Sequence, residues 1–294
     1  MTAVVFGALG QLGTEFTGLL SSQGRPVVAL DRAEADIADL ESLRSALNSG
    51  LGTSPAQPLV FLNCAAYTNV DGAETDREAC DAVNVTGARN IAVLAEEHDA
   101  ELMYFSTDYV FDGKSDRPYV ESDAPRPLNH YGRSKLMGEE ATASACRKNY
   151  ILRLAWLHGN RGNNFIRKIV SLGMTRKELK VVDDQWGCPT FAPDVARQAL
   201  ALFGTSSWGL YHCVNEGRTT WYRLAEAVFR RLDIKCGLVP CTSAEYPQKA
   251  VRPAWSVLEN RRLSELGLDR MRPWGDALAD FLSANDLLKE VEKK

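Results

Sequence analysis

The chain has 294 residues, 45% of them hydrophobic, and sets 34 Lys+Arg against 38 Asp+Glu for a formal net charge of −4. That length and apolar content exclude a disordered or disulfide-stapled class and allow one large α/β unit or two domains. The slightly acidic balance argues against a nucleic-acid partner but leaves room for a small anionic ligand, which needs only a few backbone amides and one or two arginines.

The first half alternates short apolar runs with longer amphipathic stretches. Residues 3–6 read as a buried strand stopping at Gly7. Residues 11–23 carry Leu12, Phe16, Leu19 and Leu20 at helical spacing, and residues 26–30 form a second strand closed by Asp31. Asp39 is placed to cap a helix over 40–47, residues 50–58 are a Gly/Ser/Pro connector, and 59–62 are another strand. Residues 77–97 predict one long helix with a single apolar face. Residues 101–105 and 150–154 are strands, with a helix over 131–145 between them. Strands alternating with helices at this spacing imply α/β architecture: a Rossmann-type, doubly wound parallel sheet.

The second half is more loop-rich. A helix is expected over 164–172, a strand over 179–182, and a helix over 193–203 with Pro193 at its first position. Thr219 or Thr220 is placed to cap a helix ending at Leu232, and residues 273–282 form a last helix. These divisions predict a dinucleotide-binding domain from 1–155 plus about 191–215, interleaved with a smaller substrate-binding lobe from about 156–190 and 216–294.

No stretch of about 18 residues is free of charge, so no spanning helix is expected. The first residues lack a secretory signal. Seven scattered cysteines, with no Cys-x2-Cys pair, read as reduced thiols in a cytoplasmic protein rather than bridges or metal ligands.

Two motifs carry chemistry. Gly7-Ala8-Leu9-Gly10-Gln11-Leu12-Gly13 follows the first strand and opens the first helix. Gly7 permits the turn, Gly10 lets amides approach a pyrophosphate, and Gly13 allows close helix–strand packing, with the helix dipole favouring the anion. Asp31, about 20 positions on, favours NAD(H) through the ribose hydroxyls, whereas Arg32 favours the 2′-phosphate of NADP(H). Asp36 and Ile37 either border the adenine or are a loop acid and a core residue. The second motif, Tyr131-Gly132-Arg133-Ser134-Lys135, puts Tyr131 and Lys135 on one helical face. An ammonium beside a phenol, with an oxidised nicotinamide when bound, is expected to bring the phenol's proton affinity down for transfer to a carbonyl oxygen. Ser106 and Thr107 place hydroxyls at the carboxyl end of a predicted strand, where parallel sheets bind ligands.

These motifs resemble the extended short-chain dehydrogenase/reductase superfamily and, within it, the dTDP-4-dehydrorhamnose reductase family. The resemblance is carried by the glycine run; Asn63 to Asp71 with Glu74; Asn84-Val85; Ser106-Thr107-Asp108-Tyr109-Val110-Phe111-Asp112-Gly113; Pro127-Leu128-Asn129 before Tyr131; Arg153 with Trp156; Gly162 to Phe165; Asp184-Gln185-Trp186-Gly187-Cys188-Pro189-Thr190; and Arg252-Pro253 with Ser256 and Leu258. It implies NADPH- or NADH-dependent reduction of the C4 keto group of dTDP-4-dehydro-L-rhamnose. Tyr131 would be the proton donor, Lys135 the ribose anchor, and Thr107 the carbonyl-orienting hydroxyl, with Ser106 as its substitute. The resemblance also places Ala65, Ala66 and Tyr67 along the cofactor. It places Val70, Asp71, Asp108, Tyr109, Trp156, Asn163, Asn164 and Arg252 near the substrate. Plainer readings stand beside these: core packing for Trp156, a helix cap for Asp71, turn termination for Asn163 and Asn164, and a bland turn for 184–190.

Some relatives resemble a Mg2+-bridged dimer built on glutamates. Glu15 sits at one such position, but Pro193 stands where another glutamate belongs, so no tightly bound metal is expected, and a monomer or weak homodimer is. Two other readings keep the fold: a 4-keto sugar-nucleotide reductase of different stereochemical outcome or an epimerase, and a non-catalytic regulatory subunit of the methionine adenosyltransferase type.

Overall fold

Runs of branched and aromatic residues become the buried centre of the molecule in the computed structural model, which describes residues 1–52, 58–246 and 248–285. The chain runs through β1 (Thr2–Phe6), α1 (Gln11–Ser22), β2 (Val27–Leu30), α2 (Leu40–Leu51), β3 (Leu59–Asn63), α3 (Arg77–Asp81), α4 (Ala88–Glu97), β4 (Glu101–Thr107), α5 (His130–Ala145) and β5 (Asn149–Leu154). It continues through β6 (Leu157–His158), α6 (Phe165–Gly173), β7 (Glu178–Val182), β8 (Trp186–Gly187), β9 (Thr190–Phe191), α7 (Ala192–Leu202), β10 (Gly209–His212), β11 (Thr219–Thr220), α8 (Trp221–Leu232), β12 (Gly237–Cys241), α9 (Arg261–Glu265) and α10 (Trp274–Ala284).

Six strands make one sheet in the order β2-β1-β3-β4-β5-β10, every pairing parallel. Such a sheet is covered on both faces, and β1, β3 and β5 are buried along their whole length. One face packs Phe16 of α1 and Val195 of α7 with Val5, Leu152 and Tyr211. The other packs Leu43 of α2 and Ile91 of α4 against Val4, Phe6 and Phe61. A further core joins Ile169, Val181, Val228 and Phe281, from α6, β7, α8 and α10. The winding reverses between β1 and β3, and their carboxyl ends diverge into a crevice at that point.

Most expected elements are present, with Asp39 capping α2 through Glu41 N and Ser42 N, and Thr220 capping α8. Three expectations are corrected. The helix expected over 77–97 is broken: Ala82–Gly87 winds as a π-turn between α3 and α4. The buried Asn84 amide there bonds both Tyr67 N (2.9 Å) and Tyr67 O (3.2 Å), an inward polar demand that apolar periodicity does not register. The expected connector over 50–58 begins later, because α2 continues to Leu51; residues 53–57 of it lie outside the described residues. The sheet also gains β10, four residues whose place comes from pairing with β5 rather than from an apolar run.

Candidate functional site

The crevice at the switch point is a cleft of about 810 Å³, lined by the glycine loop, Asp31, Arg32, Asp36, Ile37 and Ala65 to Tyr67. Its floor depends on missing side chains. Gly7 has φ +71, and a Cβ there would stand 2.7 Å from Ala65 N. A Cβ on Gly13 would be driven into the Gly7 carbonyl and Ala8 Cα. Gly10 heads α1 with no side chain to cap it, so the first amides of the helix stay open to an anion. The residues thus fit a dinucleotide pyrophosphate. The Leu12 side chain is in the core, which leaves only its backbone facing the loop. The Gln11 carboxamide is turned elsewhere, accepting from Gly159 N at 3.1 Å. Asp31 closes β2 and fixes the loop, its two oxygens accepting from Leu9 N and Arg32 N at 2.8 Å each. Arg32 is exposed on the cleft rim, and Ile37 packs over Gly87.

Thr107 ends β4, and Tyr131 and Lys135 lie on α5, whose start is fixed by the Asn129 side chain accepting from Gly132 N at 2.8 Å. The Tyr131 phenol lies close enough to the Thr107 hydroxyl for that group to pull its pKa down. Thr107 Oγ1 also donates to Asp108 Oδ1 at 3.0 Å and accepts from Tyr109 N at 3.2 Å. Lys135 is 2% exposed, with Nζ 4.1 Å from the centre of the Tyr104 ring. Its charge acts on Cys64, which lines the glycine-loop cleft. Burial lowers the Lys135 pKa to about 7, against the pull of Glu139. The depressed phenol affinity expected for Tyr131 is not found without cofactor. Burial pushes it up, the Thr107 hydroxyl only partly opposing, and Asp108 adds to the rise. The buried Asp108 carboxyl is likewise raised to about 7, chiefly by desolvation.

Ser106 does not share the role of Thr107: it faces the other way, donating to Glu139, which is locked to Arg153 in a buried pair. Tyr109 meets Tyr131 edge-on at 6.0 Å and lines a second cleft of about 520 Å³ with Trp221, Tyr246 and Arg252. That cleft carries Lys168, Arg176, Lys180 and Arg252 against the single acid Glu178, a balance that suits a diphosphate.

The remaining expected substrate residues divide. Asp71 and Arg252 pair with each other at 3.1 Å, and Asp71 does not cap the turn that follows it. Val70 is half-buried on the same turn. Trp156 stacks on Trp221 (3.5 Å between centroids, 8° between planes) with φ of 45. Asn164 caps α6 through Arg167 N at 3.0 Å, and the exposed Asn163 lines with it a surface groove that shares Lys168 and Leu172 with the second cleft. In the 184–190 loop, Trp186 pairs with Thr220 and Asp184 holds Ser243 N at 2.8 Å, so the loop is built into the fold.

Two contributions escaped the sequence reading. Asn84, which the sequence marks only as part of the resemblance and with no role, joins the Tyr67 turn to Ser134 Oγ (2.9 Å) on the helix of Tyr131. The second cleft is assembled largely from α6, β7 and α8, whose lining residues fall in no linear motif, with Tyr109, Gln185 and Arg252 at its edges.

Comparison with known proteins agrees with this geometry. The chain is 40% identical over 277 residues to a dTDP-4-keto-6-deoxy-D-glucose reductase of Streptomyces niveus, covering 94% of each. It is 41% identical over 288 residues to a dTDP-4-dehydrorhamnose reductase of Streptomyces griseus, covering 96% of this chain and 93% of that one. The crystal structure of a dTDP-4-dehydrorhamnose reductase from Bacillus anthracis in complex with NADP superposes with a TM-score of 0.91 at 34% identity, covering 96% and 99% of the two chains. Residues 1–286 match the RmlD substrate binding domain family, and with these similarities running nearly end to end, the chain belongs to that family.

Proposed function

We propose that the protein reduces the C4 keto group of dTDP-4-dehydro-L-rhamnose to give dTDP-L-rhamnose, using NADPH or NADH. The observation that carries this reading is the nearness of Tyr131 to Thr107, with Lys135 one turn further along the same helix, between a cleft fit for a dinucleotide and a cationic cleft with aromatic faces. The glycine-loop amides would hold the cofactor pyrophosphate, Asp31 or Arg32 its adenosine end, and Ala65 to Tyr67 its inner edge. The nicotinamide supplies the hydride when bound. Tyr131 donates its phenolic proton to the C4 oxygen while Thr107 holds that oxygen in line. Lys135 would anchor the nicotinamide ribose and, when charged, would offset the burial that otherwise keeps the phenol protonated. Arg252 and the lysines of the second cleft would take the diphosphate, with Tyr109 and Trp221 against the sugar and base.

The test is cofactor oxidation, followed at the nicotinamide absorbance, with authentic dTDP-4-dehydro-L-rhamnose. No turnover with either cofactor rejects the reading. The similarity to a dTDP-4-keto-6-deoxy-D-glucose reductase favours one second reading, the same reduction with a different ring stereochemistry, and NMR of the product decides between them.

We also propose the division into a cofactor domain (1–155 and about 191–215) and an interleaved substrate lobe. A monomer or weak homodimer without bridging Mg2+ fits Pro193 in the first turn of α7 and the engagement of Glu15 with Asn160 N at 3.3 Å. A reducing, cytoplasmic setting is supported by seven free cysteines. Among the described residues no helix is long and apolar enough to cross a membrane.

A further inference from the structure

We propose that Cys80, Asp81 and His130 form a binding site for a soft divalent transition-metal ion of the Zn2+ type, and that its occupancy slows the enzyme by gripping the start of the helix that carries Tyr131. The binding claim stands alone; the inhibition claim rests on the reductase reading.

A thiol sulfur, a carboxylate oxygen and an imidazole nitrogen all lie within 4.8 Å of one another here. Among the described residues no other three such side chains come together in this way. Zinc takes thiolate sulfur at about 2.3 Å and imidazole or carboxylate atoms at about 2.0–2.2 Å, so ligands around one ion sit roughly 3.5 Å apart. Closing from the present separation takes side-chain adjustment of about an ångström, within rotamer freedom. The donor set excludes Mg2+ and Ca2+, which want oxygen ligands, and suits zinc, whose structural sites are built from thiolate and imidazole.

The surroundings are arranged as a metal site needs. Cys80 is fully buried at the floor, while the Asp81 side chain is 39% exposed, so the ion has an entry on the Asp81 side. Water is left to fill the fourth position. His130 Nε2 already faces Asp81 Oδ1 at 2.9 Å, and the His130 amide is anchored on Glu74 at 2.8 Å. Around the sulfur stand Ser134 Oγ at 3.2 Å, which accepts from the thiol, and Asn84 Nδ2 at 3.5 Å, whose N–H donates to the sulfur and steadies a thiolate. Binding releases the thiol proton to solvent as the metal–sulfur bond forms, and the imidazole binds neutral.

The ion would bridge α3 to α5. His130 directly precedes Tyr131, and Ser134, in contact with Cys80, donates to the Tyr131 carbonyl at 2.8 Å. Drawing Cys80 and His130 together pulls on both supports of the phenol. A misplaced proton donor lowers turnover without blocking either cleft.

Co2+ is the probe, titrated into the whole purified protein. The expected result is a thiolate-to-cobalt charge-transfer absorption with one ion per chain, reversed by Zn2+, absent in Cys80→Ala and weakened in His130→Gln, with both variants checked for native circular dichroism. Absence of the band in the wild type, or its persistence in Cys80→Ala, overturns the site. If Cys80→Ala does not fold, Cys80→Ser in its place decides by the same band. In the activity arm, Zn2+ lowers wild-type kcat, and Cys80→Ala is about tenfold less sensitive. Equal sensitivity overturns the coupling to Tyr131. A wild type that binds Co2+ but turns over no substrate rejects the reductase reading and leaves the binding result intact.

Discussion

Arg252 forks onto Asp71, its two terminal nitrogens each 3.1 Å from one carboxylate oxygen, joining residues 181 positions apart. Asp71 also accepts from Ala250 N at 3.0 Å, and the Arg252 hydrogen bonds hold its carboxyl below the usual range. The pair ties the turn after β3 to the loop that carries Arg252 along the second cleft. A charge-assisted hydrogen bond is worth about 1.5–3 kcal/mol, so Arg252→Met is expected to raise KM for the sugar nucleotide by roughly ten- to a hundredfold. The fall in kcat should be smaller. Asp71→Asn should do less, because the guanidinium remains. Steady-state kinetics decide this; an unchanged KM in Arg252→Met removes Arg252 from the substrate.

Tyr131→Phe deletes the proton donor and little else. Turnover is expected to fall about 10²–10⁴-fold, with cofactor affinity preserved. A pH dependence accompanies it. With its pKa lowered to about 7, Lys135 is charged below that pH and loses its proton above it. Cofactor affinity should therefore weaken as pH rises through about 7, and Lys135→Met should flatten that dependence. Fluorescence titration of NADPH against pH, in wild type and both variants, is the measurement.

Much of this arrangement is local and was legible in the sequence. The glycine run, the Asp39 cap and the Tyr131–Lys135 face are short-range patterns whose physics is complete within a turn or two. The unread parts are relationships between distant segments. Trp156 stacks on Trp221, Asp71 pairs with Arg252, and β10 becomes a strand only beside β5. Ser106 and Thr107 are neighbours in sequence, and only the side of the strand each one faces decides which meets Tyr131. The protonation of the Tyr131 phenol goes unread for a related reason: spacing puts Lys135 on the same helical face, but does not show how thoroughly both groups are buried.

Arg32 stands exposed on the rim of the first cleft, next to the carboxylate that holds Leu9 N. If it meets a 2′-phosphate, Arg32→Ala should weaken NADPH by about tenfold or more and leave NADH nearly unchanged. Parallel titrations with the two cofactors give the answer. Equal weakening places Arg32 away from the phosphate.

Gly13 and Gly18 share one helix and differ in what surrounds them. A Cβ on Gly13 collides with the backbone of Gly7 and Ala8, whereas nothing lies within 4 Å of one on Gly18. Gly13→Ala is expected to cost about 1–3 kcal/mol and to disturb the cofactor loop. Gly18→Ala should stabilise by roughly 0.5–1 kcal/mol, the helix-interior penalty of glycine being removed. Urea unfolding of the two variants, with NADPH titration of each, separates packing from propensity.

His158 gives the stability a pH dependence of its own. It is 3% exposed, packed between Phe191 and Phe281, and its Nε2 has no hydrogen-bond partner among the described residues. Burial lowers its pKa from 6.5 to about 4. The unfolded chain therefore takes up this proton first as the medium is acidified. The contribution is fully present above pH 6.5 and is lost progressively as pH falls towards about 4. At about 1.4 kcal/mol per unit, the loss reaches roughly 3 kcal/mol. His212, lowered to about 3 by burial and by Arg153, acts in the same direction. Replacing His158 with Phe keeps an aromatic ring beside Phe191 and removes one titrating group. The melting temperature of His158→Phe should consequently fall less steeply than that of the wild type between pH 6.5 and about 4. Parallel slopes for the two proteins over that interval would mean that His158 is protonated in the folded state.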